Sequence, residues 1–112
     1  MRPLLLLILI AVAQAGVPVP QAPRVVEISA KRFEFTPNQI TLKRGEPVTL
    51  RLTAQDRDHG FLQEDLGIDL DLTPGRVAEI TITPQTAGRF VAICDDFCGS
   101  GHGNMKMVIN IE

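Results

Sequence analysis

Residues 94 to 105 read CDDFCGSGHGNM, with two cysteines, a histidine and a methionine spaced C-x3-C-x3-H-x2-M. The chain contains only two cysteines and two histidines, so three of those four residues fall in this stretch. Thiolate, imidazole and thioether are soft to borderline donors. Together they favour copper over magnesium, calcium or manganese. Gly99, Gly101 and Gly103 give the backbone freedom to wrap around a bound group. Other readings stand beside this one. Cys94 and Cys98 could pair as a disulfide if the protein is exported. Two Cys and two His could close a zinc site, although zinc has no use for a methionine. Met105 opens an apolar alternation and so also reads as core. His59, alone in sequence, also reads as an ordinary hydrogen-bonded histidine.

Metal donors act only when the chain holds them in place, so the flanking elements matter. Val26, Ile28 and Ala30 alternate with polar neighbours, as do Val48, Leu50, Leu52 and Ala54. The same period of two runs through Ile68, Leu70 and Leu72, through Ala78, Ile80 and Ile82, and through Met105, Met107, Ile109 and Ile111. This is the pattern of strands with one buried face. Turn residues separate them at 43–47 (KRGEP), 73–76 (TPGR) and 84–88 (PQTAG). No window carries a helical period over ten residues. Short strands at this spacing predict an all-β antiparallel sandwich or barrel. The period slips near Lys31, where Phe33 and Phe35 fall out of step with Val26 and Ile28, and a bulge or bend is expected there. Residues 90–94 and 105–111 are strand-like, so the donor-rich loop has both ends anchored.

The N-terminus has a different character. Arg2 precedes an apolar run from Leu4 to Ala13, and Ala13-Gln14-Ala15 is a small-residue cleavage pattern. This predicts a signal peptide over residues 1–15, an extended proline-containing leader over 16–23, and a folded domain over 24–112. An uncleaved N-terminal anchor is the rival reading. The run is short for a bilayer span, which needs about 20 apolar residues, so the mature form is expected to carry no transmembrane helix. A periplasmic or other extracytoplasmic location follows. The net charge of −2, the absence of a basic stripe and the lack of Trp and Tyr exclude a nucleic-acid partner. Acidic residues gather at Glu64, Asp65, Asp69 and Asp71 and again at Asp95 and Asp96. They form a solvated surface or a docking face for a basic partner.

Read with its surroundings, the loop resembles the dinuclear copper (CuA) motif of cytochrome c oxidase subunit II, C-x-[E/Q]-x-C-G-x-x-H-x-x-M. Upstream, Asp56-Arg57-Asp58-His59-Gly60-Phe61 is similar to that family's D-x-x-H-[SG]-[FW] segment. Leu66-Gly67, Pro74-Gly75-Arg76, Phe33-Glu34-Phe35-Thr36-Pro37 and Gly45-Glu46-Pro47-Val48 are similar to further steps of the same domain. The likeness spans about Val26 to Ile111. It implies a cupredoxin-like Greek-key β-sandwich, which agrees with the alternation. It also implies two copper ions bridged by Cys94 and Cys98. His59 and Met105 would complete one copper, and His102 and the Asp96 carbonyl the other.

The chain departs from the family pattern at three places. Asp96 stands where the family has Glu or Gln, which puts in doubt a contact to the catalytic subunit but not a main-chain ligand. The Trp/Tyr electron-entry patch is missing, with Lys31 and Arg32 in its expected neighbourhood. No transmembrane hairpin precedes the domain. The expected function is one-electron transfer by an exported, monomeric copper protein. Its partner would be a redox protein such as a c-type cytochrome or an oxidase subunit. A copper chaperone or store using the same donors is the alternative. An enzyme acting alone is not expected, because no Ser, His and Asp set remains once His59 and His102 are committed. Asp56 or Asp58 is expected to orient His59, and Phe61 and Phe97 to pack around the site.

Overall fold

A computed structural model describes residues 3–4, 22–97 and 102–112. Nine strands build it: β1 Arg24–Lys31, β2 Glu34–Thr36, β3 Gln39–Leu42, β4 Val48–Ala54, β5 His59–Gln63, β6 Ile68–Leu72, β7 Ala78–Ile82, β8 Gly88–Ile93 and β9 Lys106–Ile111. Single 3-10 turns occupy Glu64–Leu66 and His102–Asn104. Among the described residues no helix is long and apolar enough to cross a membrane. The predicted signal peptide and leader lie almost wholly outside the described residues.

The strands form two sheets, ordered β2-β1-β4-β7 and β3-β9-β8-β5-β6. The alternating side chains explain why the sheets face each other. Val26, Ile28 and Ala30 of β1 and Val48, Leu50, Leu52 and Ala54 of β4 are buried on one sheet. Met107, Ile109 and Ile111 of β9, Phe61 of β5, and Ile68 and Leu72 of β6 are buried on the other. The polar residues between them point outward, so burying one face of each sheet makes one core. Phe35 and Phe61 meet across it edge to face, with ring centroids 5.2 Å apart and planes at 87°.

The sheets are mixed rather than purely antiparallel. After the β1–β2 hairpin the chain crosses to the second sheet as β3, then returns as β4 beside β1. That return makes β1 and β4 parallel, with Val26 opposite Leu50 and Ile28 opposite Leu52. β3 likewise runs parallel to β9, with Ile40 opposite Ile109. The remaining pairings are antiparallel.

The slip near Lys31 is a chain reversal, not a bulge. Lys31 pairs with Glu34 across a two-residue turn at Arg32 and Phe33, so Phe35 lies in a new strand facing the core. The 43–47 and 73–76 turns fall where the sequence put them. Each reverses at a glycine with positive φ, Gly45 (81°) and Gly75 (80°), a conformation that glycine adopts without steric cost.

β8 and β9 matter most for the site. Their ladder runs from Gly88 opposite Ile111 to Ile93 opposite Lys106. One further hydrogen bond, from Cys94 N–H to the Met105 carbonyl at 3.1 Å, extends it beyond the strands proper. Cys94 and Met105 therefore form the neck from which the donor-rich loop hangs.

Candidate metal centre

His59 begins β5, and the turn before it carries Asp56. The imidazole is fully buried. Its Nε2 donates to Asp56 Oδ1 at 2.7 Å. Asp56 is itself fixed, because Oδ1 accepts the Arg57 backbone N–H and Oδ2 accepts the Arg32 backbone N–H, each at 2.9 Å. Partial burial alone would raise the Asp56 pKa. The hydrogen bonds from Arg32, the His59 ring and Arg57, with the His59 charge, outweigh it and hold the carboxyl at about 2. The carboxylate is thus ionised at neutral pH and keeps the His59 proton on Nε2. That choice of tautomer leaves a lone pair on Nδ1. Of the two acids weighed from sequence, Asp56 is the one in contact with His59.

Nδ1 faces Cys94. The Nδ1 to Sγ distance is 3.8 Å, and Cys94 Sγ also lies 3.2 Å from the Asp96 carbonyl oxygen. Cys94 is a free, buried cysteine. Bonds of about 2.3 Å to sulfur and 2.0 Å to imidazole nitrogen, the lengths a first-row ion such as zinc takes, put two tetrahedral to trigonal donors roughly 3.5–3.7 Å apart. The observed separation accommodates a first-row ion of that size between them with little movement. Met105, at 1% exposure, closes the neck beside Cys94. These donors, a thiol, an imidazole, a peptide carbonyl and a thioether, suit copper rather than a hard cation.

The sequence-predicted set divides cleanly. His59, Cys94 and the Asp96 carbonyl come together, and Met105 is held next to Cys94 by the backbone bond. Cys98 lies outside the described residues, as does the side chain of His102. Among the described residues no group of three or more His, Cys, Asp and Glu side chains is gathered for a metal.

Of the two phenylalanines expected to pack around the site, Phe61 is fully buried in the core two residues from His59, whereas Phe97 is not buried. Phe97, beyond the end of β8, is 70% exposed.

Two contributions escaped the sequence reading. Gly60 is one: a Cβ there would run into the Asp95 carboxylate and come within 3.2 Å of the Asp96 N. The Asp95 carboxylate and the Asp96 backbone lie against β5 at Gly60, so a side chain there would make the carboxylate swing aside and the Asp96 backbone give by a few tenths of an ångström. Arg57 is the other. Its Nη2 donates to the Phe97 carbonyl at 3.3 Å and ties the β4–β5 turn to the loop. The close approach at Gly60 had a faint signal in the His-Gly pair, and Arg57 had none.

Known proteins bear on this geometry. The profile of the family described as a cupredoxin-like domain matches residues 3–108. Cytochrome c oxidase subunit 2 of Thermus thermophilus is 33% identical over 100 residues, covering 89% of this chain and 74% of that protein. A solved structure of a heme-copper terminal oxidase dimer aligns with a TM-score of 0.73 and 25% identity, over 80% of this chain and 65% of the matched chain. The periplasmic domain of cytochrome oxidase subunit II (CoxB) of Bradyrhizobium japonicum aligns at TM-score 0.75 and 20% identity, over 84% and 87% of the two chains, and so shares the fold.

Proposed function

The chain belongs to the cupredoxin-like family, in the branch of cytochrome c oxidase subunit II copper domains, and from that premise we propose that it carries single electrons through a two-copper centre. The proposed ligands are the side chains of His59, Cys94, Cys98, His102 and Met105 and the carbonyl of Asp96. What supports the reading most directly is one contact. A fully buried imidazole, its far nitrogen fixed by Asp56, turns Nδ1 to Cys94 Sγ at 3.8 Å.

When bound, the pair of copper ions supplies a site that gains and loses one electron. The protein's part is to keep the donors still, since a centre exchanges electrons quickly when its ligands barely move. Asp56 holds the His59 ring in one orientation and one tautomer. The β8–β9 ladder holds Cys94 and Met105 as neighbours. Gly60 leaves room for the Asp95 carboxylate and the Asp96 backbone against β5. Burial of His59, Cys94 and Met105 excludes water from that side of the site and strengthens its electrostatics.

Export by the segment 1–15 would deliver the domain to the periplasm, where its donor and acceptor would be a c-type cytochrome and an oxidase subunit. Shorter Asp96, in place of Glu or Gln, and the missing Trp/Tyr patch favour a loose association with such partners. The test is direct. The reduced, metal-free protein is loaded with Cu(II) and its optical and EPR spectra are recorded. A strongly coloured mixed-valence product with a seven-line pattern is expected. A colourless product, or a single-copper type 2 spectrum, refutes the proposal.

A further inference from the structure

The turn between β4 and β5 brings a charge to the metal loop as well as a ligand. Arg57 lies two residues before His59 and is half-buried. Its Nη2 grips the Phe97 carbonyl, the next carbonyl along the chain from that of Asp96. Its Nε is buried with no hydrogen-bond partner among the described residues. Among the described residues the ion pairs are Lys31–Glu34, Arg51–Glu79 and His59–Asp56, and Arg57 joins none of them. Arginine cannot shed its proton in a protein, so the charge is permanent. A guanidinium held this way, with a buried donor unspent, is costly unless its surroundings are electron-rich. The loop it grips holds Asp95, Asp96 and the Cys94 sulfur.

We propose that Arg57 is a positioning residue of the metal centre. It straps the loop to the β4–β5 turn at Phe97, and its fixed charge raises the reduction potential of the copper held there. The inference rests on the reading of the site as a copper electron-transfer centre. The strap follows from geometry: the bond spans 40 residues of sequence and lands three positions after Cys94. The sign follows from electrostatics, because reduction adds an electron and a nearby positive charge stabilises the electron-richer state. A unit charge about 10 Å from a redox centre, at an effective dielectric of about 20, changes the reduced-to-oxidised ratio by roughly ten-fold.

Two variants of the full chain separate the roles. Arg57→Gln removes the charge and the fork. Arg57→Lys keeps the charge and removes the fork. In the metal-free, reduced protein, iodoacetamide alkylation of Cys94 followed by mass spectrometry reads the strap. Both variants should react several-fold faster than wild type. In the copper-loaded protein, redox titration reads the charge. For Arg57→Gln the reduced-to-oxidised ratio at fixed potential should fall about ten-fold, equivalent to 59 mV for a one-electron couple. For Arg57→Lys it should stay within about two-fold, as expected of a retained charge. Unchanged alkylation in either variant, or an unchanged potential in Arg57→Gln, overturns the proposal. If the glutamine variant does not fold, the lysine variant decides through its alkylation rate alone. Failure of the wild-type protein to form a two-copper spectrum counts against the proposed function instead, and the alkylation comparison still reads the strap.

Discussion

Replacing Asp56 tests whether the His59 lone pair is aimed by its neighbour or merely happens to face Cys94. The carboxylate accepts three hydrogen bonds: Oδ1 from the Arg57 N–H and from His59 Nε2, and Oδ2 from the Arg32 N–H. Asparagine cannot reproduce them. With its oxygen at the Oδ1 position, its amide group confronts the Arg32 N–H, donor against donor. With the amide reversed, the His59 and Arg57 bonds are lost instead. Alanine loses all three. Outer-shell partners of a ligand histidine typically contribute 10- to 100-fold in metal affinity. Asp56→Ala should therefore weaken copper binding by about 1.4–2.7 kcal/mol, measured by competition against a chromophoric chelator. The same side chain contributes to stability without metal. Its pKa is lowered from 3.8 to about 2, so its contribution is full above about pH 4 and is lost as pH falls towards 2. The nominal value is ~2 kcal/mol, but the side chain is 34% exposed, and solvent screening reduces this to about 1 kcal/mol. Denaturant melts of the metal-free protein between pH 5 and 2 should therefore be flatter for Asp56→Asn than for wild type. An Asp56→Ala protein that binds copper as tightly as wild type would refute the reasoning, because His59 would then be oriented by packing alone.

Three further outcomes follow from the packing. Gly60→Ala should swing the Asp95 carboxylate aside and shift the Asp96 backbone slightly, weakening copper binding a few-fold in the same chelator competition, while circular dichroism of the metal-free fold stays β-rich. Met105→Leu is close to volume-conserving and should cost less than about 1.5 kcal/mol in a denaturant melt, yet it should change the EPR spectrum of the loaded protein if the thioether is a ligand. Leu50→Ala, at a fully buried position in an inner strand of its sheet, should cost about 2–5 kcal/mol and lower the melting temperature of the metal-free protein by more than about 8 °C.

The sequence shows the fold wherever one face of a strand is wet. β1, β4, β6, β7 and β9 each alternate, and each appears where the alternation lies. β5 does not alternate, because four of its five residues are buried. The core covers one face, and the metal loop covers part of the other at Gly60. The element that supplies His59 is hidden from a pattern search by the very contact that makes the site. β3 alternates too, with Ile40 and Leu42 buried, but at four residues the pattern is too short to stand out, and its parallel partner lies far along the chain. The candidate donors Cys94, Cys98, His102 and Met105 stand out in the sequence because soft side chains are gathered locally in the 94–105 string. The choice of Asp56 over Asp58 does not, since it depends on a turn whose backbone N–H groups hold one carboxylate and leave the other in solvent. Arg57 was invisible for the same reason, as its acceptor lies 40 residues away.

The place of β9 between β3 and β8 sets an order of events for a growing polypeptide. While synthesis proceeds, β3 has no neighbour on its own sheet, and β8 lacks one of its two, until residues 106–111 emerge. Until then the five-stranded sheet lacks the strand that joins β3 to β8. Cys94 and Met105 become neighbours only when that last strand is seated, so of the candidate donors the thioether is the last to arrive.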